Sequence, residues 1–252
     1  MAPPTPAPGT SIQVLQRAAL LLRTVGEHRG GLRLAELGDV VDLPKTTIHR
    51  IVGALTEERL LRVDPLGRIW LGSSVLALAR LAATELAEQL RPVLIELHRV
   101  VDETVDLSVL DGSSVHFIDQ IQSTKRLRAV SSVGSTFPLH SSANGKAFMA
   151  ALSDEQLDDL LDRPLERFTD NTITDPVELR AEIDVIRSEG VAYDYEEHTM
   201  GIAAVAVALC DTSGPIAAIS ITTPVDRFEI DEPSLRAELL AAAEQARRLL
   251  SV

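Results

Sequence analysis

The 22 residues from Leu34 to Leu55 restrict the fold more than any other stretch of the chain. Leu34, Leu37, Val40 and Val41 recur at helical spacing, a break falls at Asp42, Leu43 and Pro44, and a second apolar stripe follows at Ile48, Ile51, Val52 and Leu55. The pattern predicts two short helices sharing one small core. Pro44 suits a first helical position, where the N–H it lacks would have no partner, and Asp42 tolerates the left-handed backbone of a tight turn. Opposite the second stripe lie Thr46, Arg50 and Gly53, flanked by Thr47 and His49, with Lys45 on the first turn. A face that is merely solvated is rich in Glu and Lys pairs. This one offers donors for phosphates and base edges with little bulk to hinder groove entry. An ordinary helical hairpin shares the apolar spacing, so the residues that follow decide between the two.

Those residues read as a strand from Leu60 to Val63, a turn over Asp64, Pro65, Leu66 and Gly67, and a return strand from Arg68 to Leu71. A hairpin directly behind a recognition helix is a wing, from which Arg62 and Arg68 can reach phosphates. Upstream, Ile12, Leu15, Ala19, Leu22 and Val25 share one helical face, and Gly30-Gly31 ends that helix. Residues 11–72 are thus expected to form a winged helix-turn-helix. Its candidate contacts to double-stranded operator DNA are Arg33, Lys45, Thr46, Thr47, His49, Arg50 and Arg68.

A formal net charge of −13 argues against nucleic-acid binding until the chain is divided at Gly72. Up to that point the balance is +2 (9 − 7), and beyond it −15 (15 − 30). Screening over about 8–10 Å hides distant acids, so the basic head can still dock on DNA. The single cysteine, Cys210, excludes an internal disulfide and a cysteine-only metal site, consistent with a reducing cytoplasm. No stretch is apolar enough to span a membrane. Pro3, Pro4, Pro6 and Pro8 mark residues 1–10 as a disordered arm and not a signal peptide.

After Gly72 the run through Leu86 is rich in Ala and Leu and apolar on more than one side, which predicts a linker helix over 73–88. Self-association and packing on its own body both account for such a surface. A further helix, Leu90 to Asp102, opens a second domain over 89–252. Strands are expected at Val105 to Leu110, Val115 to Ile121, Gly201 to Leu209 and Ile216 to Thr223. Helices are expected at Ala143 to Leu152, Asp154 to Leu161, Pro176 to Glu189 and Glu232 to Leu250. This is an α+β pattern, an antiparallel sheet with helices packed on it.

Two clusters stand out in that domain. A Ser/Asn-rich loop runs into the helix at Ala143, Asn144 and Gly145, whose free N–H groups at the positive end of the helix dipole suit an anion; a simple cap by Ser141 or Ser142 is the alternative. Asp194, Glu196, Glu197 and His198 lie close together, yet no second histidine at ligand spacing accompanies them. A solvated acidic turn is favoured there over a metal. No nucleophile elbow, zinc-protease helix or phosphate loop is present, since Gly145-Lys146 continues into Ala147. An enzyme processing small carboxylates without DNA is the competing class. No cofactor is implied.

The winged motif, the run Pro138-Leu-His-Ser-Ser-Ala-Asn-Gly-Lys-Ala147 and the pattern Gly190-x-Ala-x-Asp-x-Glu-Glu-x-x-x-Gly201 occur in that order, and with them the chain resembles the IclR family of bacterial transcription regulators. The resemblance covers Ser11 to Leu250. It implies a GAF-like effector domain behind the winged helix, a homodimer or dimer of dimers, and a ligand-responsive regulator, with a repressor of a metabolic operon as the leading form. Matching position by position, it implies an effector site at Ala143, Asn144, Asp194, Ala204, Ser220 and Thr222, with Arg126 and Arg128 near its mouth and a small organic acid as ligand. Phe137, Leu139 and Ile202 would supply apolar walls. Asp42 stands where the family usually has glycine, and Ala204 where some members place a polar side chain.

Overall fold

The computed structural model describes residues 8–28, 30–41, 43–129 and 131–251. The chain divides into two compact units, 1–82 and 83–252.

In the first unit, α1 (Pro8–Glu27) is followed by β1 (Leu32–Arg33), α2 (Leu34–Val40), α3 (Lys45–Glu57), β2 (Leu61–Val63) and β3 (Arg68–Leu71). Leu21, Val25, Leu37, Ile48, Ile51, Val52, Leu55, Leu61 and Ile69 form its core. The apolar stripe of α3 is therefore buried as the spacing requires. The face of α1 differs from expectation, because Leu21 rather than Leu15 is buried and Leu15 is 70% exposed. In α2 the inward residue is Leu37, joined by Val41 just past its end, while Val40 is exposed. Pro44 precedes α3 as its cap residue instead of starting it, accepting N–H bonds from Thr47 and Ile48 on its carbonyl. Asp42, expected at the turn, lies outside the described residues. So does residues 1–7 of the expected arm, while Pro8 to Thr10 already belong to α1.

The wing is three-stranded, in the order β1-β3-β2, with Arg33 opposite Arg68 and Leu61 opposite Leu71. Its turn closes around the Asp64 carboxylate, which accepts from the backbone N–H of Leu66 and Arg68 and from the Trp70 indole. The Arg62 guanidinium sits 5.2 Å above the Trp70 ring. Gly31 is required here: a Cβ would lie 2.7 Å from the Trp70 ring, and its φ is +70°.

The expected linker and the next helix are one element, α4 (Ser73–Val101), and the boundary between the units falls within it at Ala82. Nothing between Leu86 and Leu90 stops a helix, and Pro92 deletes one backbone hydrogen bond without ending it.

In the second unit, β4 (Thr104–Asp111), β5 (Ser114–Ile121), β6 (Thr136–Pro138), β7 (Ala192–Tyr195), β8 (Ile202–Asp211) and β9 (Gly214–Pro224) make one antiparallel sheet, ordered β6-β5-β4-β9-β8-β7. The helices are α5 (Ala143–Ala151), α6 (Asp154–Leu161), α7 (Pro176–Glu189) and α8 (Val225–Leu250). Alternation along the strands gives the sheet two dissimilar faces. Val105, Leu107, Val205, Val207, Ile219 and Ile221 pack with Leu90 and Leu94 of α4 and Leu239 and Ala243 of α8 in an apolar core. The other face presents Ala204, Ala206 and Ala218 to Ala143, Ala147 and Phe148 of α5 and Leu179 and Ile183 of α7. Small residues on these strands let α5 lie close. Helix α8 starts at Val225, earlier than Glu232, and keeps Pro233 in its interior.

Candidate functional site

On α3 the residues opposite the buried stripe are open to solvent: Lys45, Thr46, His49, Arg50 and Gly53 are exposed and Thr47 is half-buried. This is a small, cationic and hydroxyl-bearing surface of the kind that enters a DNA groove. Arg33 is exposed at the start of α2, its N–H held by the Glu36 carboxylate. Arg68 is different. Its Nη1 donates to the carbonyls of Gly30 and Gly31, at 3.2 and 2.9 Å, so the side chain braces the turn behind α1 rather than standing free for a phosphate.

In the second unit a cavity of about 40 Å³ opens beside the start of α5. Ser142, Ala143 and Asn144 line one side, Asp194, His198 and Thr199 another, and Ile202, Ala204 and Thr222 the sheet; Phe117, Ser131 and Phe137 complete it. A water needs about 10–15 Å³, so the space takes a carboxylate group. The fold thus brings together Ala143, Asn144, Asp194, Ala204 and Thr222, which lie far apart in sequence. Antiparallel pairing causes part of this, since Ala204 sits opposite both Asp194 and Thr222.

Other expected residues fall elsewhere. Gly145 is not at the cavity surface. Its N–H is taken by the Ser142 hydroxyl at 3.2 Å, the cap foreseen as the alternative, and a Cβ there would lie 2.2 Å from the Leu139 carbonyl oxygen. Ser220 shares the face of Thr222 but is fully buried beneath α5, its hydroxyl without a hydrogen-bond partner. Arg126 and Arg128 are exposed on the stretch after β5 and do not line the cavity. Leu139 is buried in the core beside it.

The acidic stretch is not solvated, contrary to expectation. Asp194 is 7% and Glu197 6% exposed. The missed residue that organises them is Lys146, fully buried on α5, whose ammonium lies 2.5 Å from both Glu182 of α7 and Glu197. Two acids share this cation, and the Asp194 carboxylate joins the cluster through the Glu197 backbone, accepting its N–H at 2.7 Å. Burial, reinforced by the Glu197 charge, pushes the Asp194 carboxyl up to about 7. No group of three His, Cys, Asp or Glu suited to a metal ion occurs among the described residues.

Asp106, missed entirely, lies on β4 behind the cavity. It accepts from Gln120, Ser131 and Thr222 at 2.7, 2.9 and 3.2 Å, and burial still raises its carboxyl to about 6. The hydrogens of Ser131 and Thr222 are therefore turned away from the cavity. Asn144 likewise donates to Ser108, at 2.9 Å. At the mouth, the His198 ring is stacked between Phe137 and Phe168, with centroids 4.0 and 5.1 Å away.

A winged helix with an open cationic face, joined to a sheet-and-helix unit that holds a small cavity of mixed polar and apolar lining, defines a ligand-responsive transcription regulator. Residues 14–65 match the IclR helix-turn-helix domain and residues 78–248 the C-terminal domain of bacterial IclR regulators. The chain belongs to the IclR family. It is 44% identical over 231 residues to the transcriptional regulator Rv1719 of Mycobacterium tuberculosis, covering 91% of this chain and 89% of that one. To the transcriptional repressor IclR of Escherichia coli it is 35% identical over 233 residues, covering 89% and 85%. Among solved structures, the IclR protein of Thermotoga maritima superposes with a TM-score of 0.65 at 25% identity, covering 96% of this chain and all of that one. These relatives are regulators, which sets aside the enzyme reading.

Proposed function

We propose that this regulator binds double-stranded operator DNA through α3, as a homodimer or dimer of dimers in the cytoplasm, and that a small organic acid in the cavity beside α5 changes its affinity for that DNA. The observation that carries the effector site is the convergence of Ala143, Asn144, Asp194, Ala204 and Thr222 on one cavity. The first-turn N–H groups of Ala143 and Asn144 have no intrahelical acceptor and lie at the positive end of α5. They suit a carboxylate. An IclR homologue from Microbacterium hydrocarbonoxydans, alike in fold with a TM-score of 0.63, was crystallised with 4-hydroxybenzoate. Relatives named as repressors, including the acetate operon repressor of Salmonella typhimurium at 34% identity, support repression as the output. No helix among the described residues is long and apolar enough to cross a membrane.

The test uses DNA selected by the full chain from a random duplex library, followed by anisotropy titrations. Arg50→Ala should weaken binding by about 1–3 kcal/mol if Arg50 reads a base, or lower the salt slope by about one unit if it touches only phosphate. Unchanged affinity and salt slope would remove α3 from the interface. By linkage, an effector that weakens operator binding must itself be bound more weakly, by the same factor, in the presence of operator.

A further inference from the structure

The cavity has an unusual electrostatic setting for a site that takes an anion. No lysine or arginine lines it. The one buried cation nearby, Lys146 on α5, is already held by Glu182 from α7 and Glu197 from the loop after β7, and a second oxygen of Glu197 is buried without a partner. Asp194 faces the cavity from β7, beside Glu197. His198 lines the cavity with a ring whose protonation is disfavoured by burial and by His140. From β4, Asp106 adds a further acid behind Thr222 and Ser131, and the facing residues of β8 and β9, Ala204 and Thr222, carry no charge. An ionised Asp194 therefore has no free cation to face, and a second carboxylate brought against it is repelled. A protonated Asp194 has neither difficulty, and it becomes a donor in a cavity where Ser131 and Thr222 have committed their hydrogens to Asp106 and Asn144 one of its two to Ser108.

Resting on the effector reading above, we propose that the ligand carboxylate enters this cavity together with a proton, which resides on Asp194 and is shared with the ligand through an Asp194 O–H donated to the carboxylate. Binding an anion L⁻ consumes one proton from solvent where Asp194 is ionised beforehand and none where it is already protonated, so the uptake rises with pH. No bond other than the O–H of Asp194 is formed. The effector response is then proton-linked, stronger in acid and weaker in base.

The experiment is calorimetric titration of the full chain with 4-hydroxybenzoate and with acetate at about pH 6 and about pH 8.5, where both carboxyl groups are ionised. With the Asp194 carboxyl at about 7, affinity should fall about thirtyfold between these conditions, because each unit beyond it removes a factor of about ten. Asp194→Asn, which keeps a donor but no titratable proton, should bind equally at both. A parent affinity independent of pH, or a pH dependence that survives in Asp194→Asn, overturns the proposal. An infrared difference spectrum of the ligand-free chain supplies a readout without ligand: a contribution to the protonated-carboxyl band present at the lower pH, lost at the higher, and removed by Asp194→Asn while the Asp106 contribution stays. Its absence overturns the proposal whatever the ligand does. If the band is present and neither acid binds at either pH, the proton serves the fold alone, and both this proposal and the carboxylate effector fall.

Discussion

Replacing Gly145 by alanine sets two physical effects against each other. Inside a helix, alanine is favoured over glycine by about 1 kcal/mol, so propensity alone predicts a stabilised α5. The structure predicts the opposite. A Cβ at this position would stand 2.2 Å from the Leu139 carbonyl oxygen, 2.4 Å from its Cα and 2.6 Å from its carbonyl carbon. These are backbone atoms, so no side-chain rotation relieves the contact, and α5 and the Leu139 segment must separate by about 1 Å to reach ordinary contact. Overpacking of this kind costs about 1–3 kcal/mol, and separation also opens the layer beneath α5 where Asn144 meets Ser108. A net loss of about 1 kcal/mol is expected after the helix gain is subtracted, near 0.5 M in urea midpoint for a typical slope of about 2 kcal/mol per M. The chain carries its own two probes for the assay. Both tyrosines, Tyr193 and Tyr195, lie in the second unit, and the only tryptophan, Trp70, lies in the first. The tyrosine near-ultraviolet signal should shift to lower urea while Trp70 fluorescence reports an unchanged winged unit. A tyrosine transition at equal or higher urea would refute the reasoning.

Lys146→Met leaves the carboxylates of Glu182 and Glu197 facing each other without a cation; since Lys146 is fully buried, the second unit should lose about 3–5 kcal/mol, and a tyrosine-monitored loss below about 1 kcal/mol would contradict the assigned pairing. Asp106 is held near 6 when folded, above about 3.9 when unfolded, so its folded form prefers the proton. Its contribution is complete below the unfolded value and is lost as pH rises from about 4 through about 6. Asp106→Asn should therefore gain on the parent by about 2–3 kcal/mol across that window, and a difference that stays flat with pH would show that the carboxyl is not displaced. Arg68→Ala should lower the midpoint of the Trp70-monitored transition and leave the salt slope of DNA binding unchanged, because its guanidinium bonds carbonyls; an unchanged midpoint with the slope lower by about one unit would make it a phosphate contact.

Helix α3 was legible because its burial is local: one stripe, one period, and the opposite face left for a partner. Leu15 misled because periodicity gives several equivalent faces for a long helix, and only packing against α3 and β3 selects Leu21. Strands β1, β6 and β7, of 2, 3 and 4 residues, are too short to show a period and exist because a neighbour offers an edge. The cavity was partly legible through helix-start chemistry, which marks Ala143 and Asn144. Lys146 was not, although a signal was present: it is the one charge in a run of otherwise small and apolar residues from Ala143 to Ala151, and the structure buries that run through Met149, so its counter-charges lie inside. Arg126 and Arg128 show the converse, since matching along the sequence does not tell which way a connecting segment turns its side chains.

The closed turn of the wing bears on how the protein would meet DNA thermodynamically. With Asp64 already holding two backbone N–H groups and the Trp70 indole, and Arg62 lying over that same indole, the hairpin tip has surrendered its conformational freedom during folding. Docking it in a groove then releases ions and water without ordering a loop. The association should show a small negative heat capacity change and little temperature curvature, in contrast to a partner whose wing folds only on contact.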